Sequence, residues 1–316
     1  MDNRELIKVL DTFGHFSNPA APLAQSASGN TARLTIKDQA TRSAVQSYQL
    51  LLKPTLDDLV LKHHNRTESV ADGDVGPATR ELMTLPRCGF ADHGSEHSAH
   101  WPHDCRGDLK AGRDFGALPG LNVTETDHVW HAICNNWTAA LTDVAITPSD
   151  TTDPAKTDFW AVLRRLSGGT LAWHELAVSR CDVTLDGAWD SDRRWSLVFG
   201  CTTGTHEFGH GLGMNHNNDG TALMYPIINS GARARRGWPN DTDFAPLARL
   251  GYTVTSGAEQ PKGDDLFRPR RTNGPPGDPA DPTDTVRVIF PKAVKVTLDG
   301  VAIEDYFLVP RRSLGL

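Results

Sequence analysis

The sequence predicts an α+β chain: a small helical unit, then a larger unit in which short strands alternate with helices. Three observations carry this. Apolar residues recur at helical spacing over residues 6–13 and 40–52. Short runs at 143–147, 159–166, 169–174 and 182–186 read as strands. A third stretch, residues 206–216, sets three histidines at a helix-then-turn spacing.

Composition narrows the classes of function. The chain has 316 residues, enough for two modest domains, and a hydrophobic fraction of 38%. A net charge of −7 gives no electrostatic case for nucleic acid or an anionic membrane; Arg233-Ala234-Arg235-Arg236 is a short basic patch on a loop. No apolar run is long enough to span a bilayer. Charges through residues 2–11 occupy the place where a signal peptide keeps its apolar segment, so no leader is visible.

The N-terminal elements follow in order. Two helices over residues 6–13 and 40–52 precede the turn Asp72-Gly73-Asp74-Val75-Gly76. A third helix starts at Pro77, whose fixed φ suits a first helical turn. Residues 1–85 thus form the helical unit. Residues 86–107 are a connecting segment. Its histidines, His93, His97, His100 and His103, lie in a Gly/Ser/Pro setting that reads as a solvated loop rather than a metal site.

From residue 108 the main unit runs to 254. Thr126 or Asp127 can cap a helix carrying Val129, Trp130, Ile133, Trp137 and Leu141, an apolar stripe suited to packing on a sheet. A last helix is expected over 240–252, with Asp241 or Asp243 near its start. Residues 255–284, rich in Gly, Pro and Asp, form a linker. The tail, 285–316, alternates like two or three strands and is too short to fold securely alone.

The chemistry concentrates in His206-Glu207-Phe208-Gly209-His210-Gly211-Leu212-Gly213-Met214-Asn215-His216. With about 3.6 residues per helical turn, His206 and His210 stand on one face and can offer two imidazoles to one metal. Gly213 tolerates the positive φ that ends a helix and swings His216 back as a third ligand. Three nitrogens leave a fourth position open, the arrangement of a catalytic rather than a structural zinc. Glu207, next to the first ligand, is the candidate general base. The bland alternative, a solvated histidine-bearing helix, leaves Glu207, Gly213, His216 and the downstream Met224 without a common explanation.

This H-E-x-x-H-x-x-G-x-x-H pattern, with Met224 in Ala222-Leu223-Met224-Tyr225-Pro226, resembles the metzincin zinc peptidases. Pro86-Arg87-Cys88-Gly89-Phe90-Ala91-Asp92 in turn resembles the cysteine switch of the matrixins, usually P-R-C-G-[VN]-P-D, with Phe90-Ala91 departing from it. Phe13-Gly14-His15-Phe16, residues 39–49 and residues 76–83 are similar to the peptidoglycan-binding-like three-helix propeptide of that family.

The resemblance implies a metzincin catalytic domain, a mixed twisted sheet with an active-site helix and a C-terminal helix, over 108–254. It implies a latent zinc endopeptidase acting on protein or peptide substrates. His206, His210 and His216 would bind one catalytic zinc and Cys88 would close its fourth position; Met224 would be the Met-turn residue and Arg87 and Asp92 would brace the switch. Pro226-Ile227-Ile228-Asn229 would wall the pocket after the cut. The chain lacks an H-x-D pair from 148 to 167, and Thr184 stands where a histidine is expected beyond His174. A second, structural zinc is therefore not expected, which is closest in style to microbial and phage matrixins. Asp182, Asp186, Asp190 and Asp192 offer oxygens that Ca2+ could take, or form a solvated acidic turn.

By the same resemblance the location is extracellular, or at a virion or cell surface. The alternative function is peptidoglycan binding by residues 1–85, carrying a protease or an inactive metzincin domain to a cell wall. Five cysteines leave four, Cys105, Cys134, Cys181 and Cys201, once Cys88 is set aside. Three disulfide pairings and a fully reduced state all remain open.

Overall fold

The computed structural model describes residues 2–16, 35, 37–64, 71–92, 105–166, 169–177, 180–187, 195–228, 232–233 and 235–261, together with four short tail strands. Three helices of the N-terminal unit follow the sequence pattern: α1 (Asn3–Thr12), α2 (Gln39–Leu51) and α4 (Pro77–Leu82). The expected three-helix unit gains one further helix, α3 (Lys53–His64), which continues almost directly from α2. Pro54 falls in its first turn, where the missing N–H costs nothing, so the proline starts a helix there. Asp2 caps α1 in a capping box with Glu5. Leu6, Leu10, Val45, Tyr48, Leu52, Leu56 and Leu82 form one buried core.

The larger unit is built on a six-stranded sheet in the order β1-β5-β6-β4-β2-β3. Its strands are β1 (Arg87–Cys88), β2 (Gly107–Arg113), β3 (Val144–Pro148), β4 (Phe159–Arg164), β5 (Thr170–Ala177) and β6 (Arg180–Asp186). Strands β3, β2, β4 and β6 are mutually parallel and β5 runs antiparallel to β6, so the sheet is mixed. Strand β1, from the connecting segment, pairs parallel to β5 and covers an edge that would otherwise be open. Strand β2 was not legible beforehand: Gly107-Asp108-Leu109-Lys110-Ala111-Gly112-Arg113 has too few apolar residues to announce a strand. It forms because its neighbours β3 and β4 pair with it on both sides.

Helix α5 (Val123–Ala140) is capped by Asn122 in a capping box with Glu125, not by Thr126 or Asp127, and Leu141 lies just past its end. The Asn-x-x-Glu reciprocity satisfies two donors at once, which decides the start. Helix α6 (Leu197–Gly211) crosses α5 closely. A Cβ on Gly204 would lie 2.2 Å from Ile133 Cδ1, so glycine permits this approach. Trp137 Nε1 donates to Thr205 O at 2.9 Å, locking the pair. Helix α7 (Asp241–Arg249) closes the unit, capped by Asn240.

The tail holds β7 (Thr285–Arg287), β8 (Val296–Leu298), β9 (Val301–Ile303) and β10 (Leu308–Pro310), paired as β7 with β10 and β8 with β9. It makes a unit of its own, Arg271–Leu316. Among the described residues no helix is long and apolar enough to cross a membrane.

Candidate metal centre and active site

Helix α6 ends at the sequence that announced it. Gly213, at φ +89°, donates to His210 O, and Met214 N donates to Gly209 O at 3.0 Å. These paired bonds are a Schellman closure, and they turn the chain so that His216 faces back toward the helix. His206 and His210 are buried on the last two turns of α6. The ligand atoms of Cys88, His206, His210 and His216 all lie within 4.8 Å of one another.

Hydrogen bonding fixes which nitrogen of each ring points inward. His206 Nδ1 faces Leu223 O at 2.8 Å and His210 Nδ1 faces Met214 O at 2.7 Å. His216 Nδ1 faces Asp92 Oδ1 at 2.7 Å. Each partner is an acceptor, so each Nδ1 carries the proton and each Nε2 presents a lone pair. His206 Nε2 and His210 Nε2 are then 3.2 Å apart with no proton to share, and His216 Nε2 has no partner.

A zinc ion would fit this arrangement. Ligand distances of about 2.0–2.1 Å for nitrogen and about 2.3 Å for sulfur put tetrahedral neighbours about 3.3 Å apart for two nitrogens and about 3.6 Å for nitrogen and sulfur. The corresponding separations are 3.2 Å between the two Nε2 atoms and 3.5 Å from Cys88 Sγ to His210 Nε2. The residues present fit the metal.

Glu207 is fully buried beside this cluster, and its two carboxyl oxygens have no partner apart from the nearby Cys88 thiol. Burial pushes its carboxyl up to about 8. Burial, and next the Glu207 charge, push the Cys88 thiol well above its ordinary range, while burial takes His206 down to about 3. A cation among these groups would favour thiolate, carboxylate and neutral imidazole together.

Met224 is fully buried against Gly209 of α6. Gly209 makes room for it: a Cβ there would sit 2.5 Å from Met224 Sδ. The turn is held from behind by Asp243 on α7, whose carboxylate accepts from Leu223 N at 2.8 Å, Met224 N at 3.0 Å and Asn240 N at 2.9 Å. Asp243 had been legible only as a residue near a helix start; the Asn240-x-x-Asp243 capping box was the available signal.

Cys88 is carried to the centre by β1. Arg87 N donates to Gly169 O, Gly89 N to Ala172 O at 2.7 Å and Cys88 N to Pro226 O at 2.9 Å. The segment therefore lies between the β5 edge and the chain after Met224. A Cβ on Gly89 would fall 2.6 Å from Thr170 Cγ2, so the close approach requires glycine. Arg87 and Asp92 form a buried ion pair. Phe90 stacks on His210 at 4.1 Å between ring centroids, tilted by 22°. Sequence reasoning saw in Phe90 only a departure from the usual pattern; its aromatic ring fills space over a histidine face.

Several expectations fall elsewhere. His174 is buried on β5 with Nδ1 3.2 Å from Cys181 Sγ, and Thr184 pairs across from Trp173 on β6. Asp182 is engaged by Arg180 at 2.6 and 2.9 Å, and Asp186 accepts from Leu166 N. Asp190, Asp192, Asn229 and the histidines at 93, 97, 100 and 103 lie outside the described residues. All five cysteines are buried, and none is joined to another in a disulfide.

Comparison with known proteins agrees with the geometry. The matrixin family model matches residues 167–245, which span β5, β6, α6, the Met224 turn and the first half of α7. Matrix metalloproteinase-18 of Xenopus laevis is 28% identical over 212 residues, covering 60% of this chain. The match takes in 42% of that relative, less than half its length. Over residues 167–245 this chain is accordingly similar to the matrixins.

Proposed function

We propose that the protein is a zinc endopeptidase made in a latent form, with Cys88 closing the metal site. The observation that carries this reading is the convergence of three Nε2 lone pairs and the Cys88 thiol on one point beside the orphaned carboxyl of Glu207. His206, His210 and His216 would hold the metal. Zinc bound there supplies Lewis acidity, which polarises a peptide carbonyl and acidifies a water molecule.

Glu207 takes the proton of the attacking water on a carboxyl oxygen and hands it to the departing amine nitrogen. Its place suits this role, because the carboxyl is buried beside the three imidazoles and neither oxygen is tied to another residue's hydrogen bond apart from the Cys88 thiol. The substrate is a protein segment in extended form, lying along the β5 edge that β1 now covers, where main-chain pairing would position it.

Latency is supported by the same edge. Cys88 stands over the three imidazoles while its own N–H donates to Pro226 O and its neighbours pair with β5, so substrate and prosegment compete for one groove. The peptidoglycan-binding alternative has less support, since Phe13, His15, Ser47 and Tyr48 of the helical unit are buried toward Arg87 and Asp92. Glu207→Ala should keep zinc near one per chain while peptidase activity on a peptide library collapses; undiminished turnover would sink the assignment. Cys88→Ser should cleave peptides without prior processing, and a variant as silent as wild type would rule the switch out.

A further inference from the structure

Two of the three imidazoles are oriented by main-chain carbonyls that follow α6 in sequence, Leu223 O for His206 and Met214 O for His210. The third is not. His216 Nδ1 finds its acceptor on Asp92, 124 positions earlier, at 2.7 Å and with both side chains buried.

Asp92 is itself held on every side. Its other oxygen, Oδ2, meets His15 Nε2 at 2.9 Å, and His15 Nδ1 meets Ser47 Oγ at 2.9 Å. Its main-chain N donates to Phe13 O at 2.9 Å. Arg87 pairs with Oδ1 and lies 3.8 Å over the Phe13 ring. A fully buried carboxylate with both oxygens committed cannot be replaced by water without loss of charge-assisted bonds.

We propose that Asp92 is the positioning residue for His216: the N-terminal segment lends the metal centre an outer-shell carboxylate as well as the Cys88 thiol, and the unprocessed chain therefore assembles and holds its zinc better than Cys88 alone accounts for. The inference rests on the reading of His206, His210 and His216 as ligands. A carboxylate on the far nitrogen of a ligating imidazole fixes the tautomer and raises ligand basicity, and its loss costs about 10–100-fold in metal affinity. His15 and Ser47 back the carboxylate, so the helical unit contributes to metal binding through a hydrogen-bonded chain of four side chains.

The test uses the full chain in a Cys88→Ser background, which removes the thiol ligand from the comparison. Zinc affinity is measured by competition with a chromophoric chelator, and the ring N–H resonances of the histidines are followed by NMR on the zinc form. Adding Asp92→Ala should weaken zinc a further 10–100-fold or so and abolish the His216 Nδ1–H resonance while those of His206 and His210 persist. Adding Arg87→Ala, which breaks the brace and leaves Asp92, should cost less than Asp92→Ala. Should Asp92→Ala fail to fold, Asp92→Asn, which keeps an acceptor oxygen and loses the charge, carries the test with an intermediate loss. Affinity unchanged in the Asp92 variants, with one zinc still bound, overturns the role of Asp92 alone. Absence of zinc uptake in wild type and in Cys88→Ser overturns the ligand assignment as well.

Discussion

Asp243→Ala is the substitution whose effect can be worked furthest from the structure. The carboxylate is fully buried and accepts three main-chain N–H groups, from Leu223, Met224 and Asn240. Leu223 and Met224 are themselves buried, so removing the acceptor strands two donors away from solvent. Each costs about 1–3 kcal/mol. Asn240 is half-buried and can turn to water. Part of the loss is returned, because burial is the largest influence on this carboxyl and raises its pKa, which means its charge is held at a cost.

A net destabilisation of about 2–4 kcal/mol is expected, which at about 2 kcal/mol per molar urea moves the midpoint down by about 1–2 M. Tryptophan fluorescence reads it locally, since Trp238 packs edge-on to Phe244 beside the site. Zinc affinity should fall too, because Leu223 O holds His206 Nδ1 and the Leu223 amide would have lost its anchor. A midpoint within about 0.3 M of wild type would refute the view that Asp243 holds the floor of the metal site.

Two further outcomes are expected. Gly204→Val should destabilise by about 1–3 kcal/mol through overpacking against Ile133, and adding Ile133→Val, which deletes the Cδ1 atom 2.2 Å from the new Cβ, should recover part of it; equal thermal midpoints for Gly204→Val and wild type would exclude the close crossing of α5 and α6. Asp219 accepts from Thr221 N at 2.8 Å, which together with other bonds lowers its pKa below 3.8. A lowered carboxyl pKa gives stability that is present above the unfolded value and lost as pH falls through the folded one, so the melting difference between wild type and Asp219→Ala should be full at pH 7 and shrink as pH falls below 3.8; a difference constant with pH would contradict it.

Residues 206–216 needed no structure to be read. Helical periodicity, a glycine able to adopt positive φ and three imidazoles at those spacings are local properties, so the α6 ending and its turn were legible in the sequence. Cys88 was legible for a different reason: its neighbours carry a family pattern. The core stripe of α5 was legible too, while its start at Asn122 was misread because two other capping residues stood close by.

The rest depended on which distant segments meet. Strand β2 exists because β3 and β4 flank it, and Phe90 has a purpose only once His210 lies beneath it. Asp243 became the support of the Met224 turn, and Asp92 the partner of His216, through contacts 19 to 124 residues apart. The sequence alone thus picked out His206, His210 and His216 as candidate ligands, because spacing along one helix and turn is enough to aim imidazoles toward one another. Only the tertiary structure decided what holds those imidazoles in place, because a buried hydrogen bond needs an acceptor whose position no local pattern records.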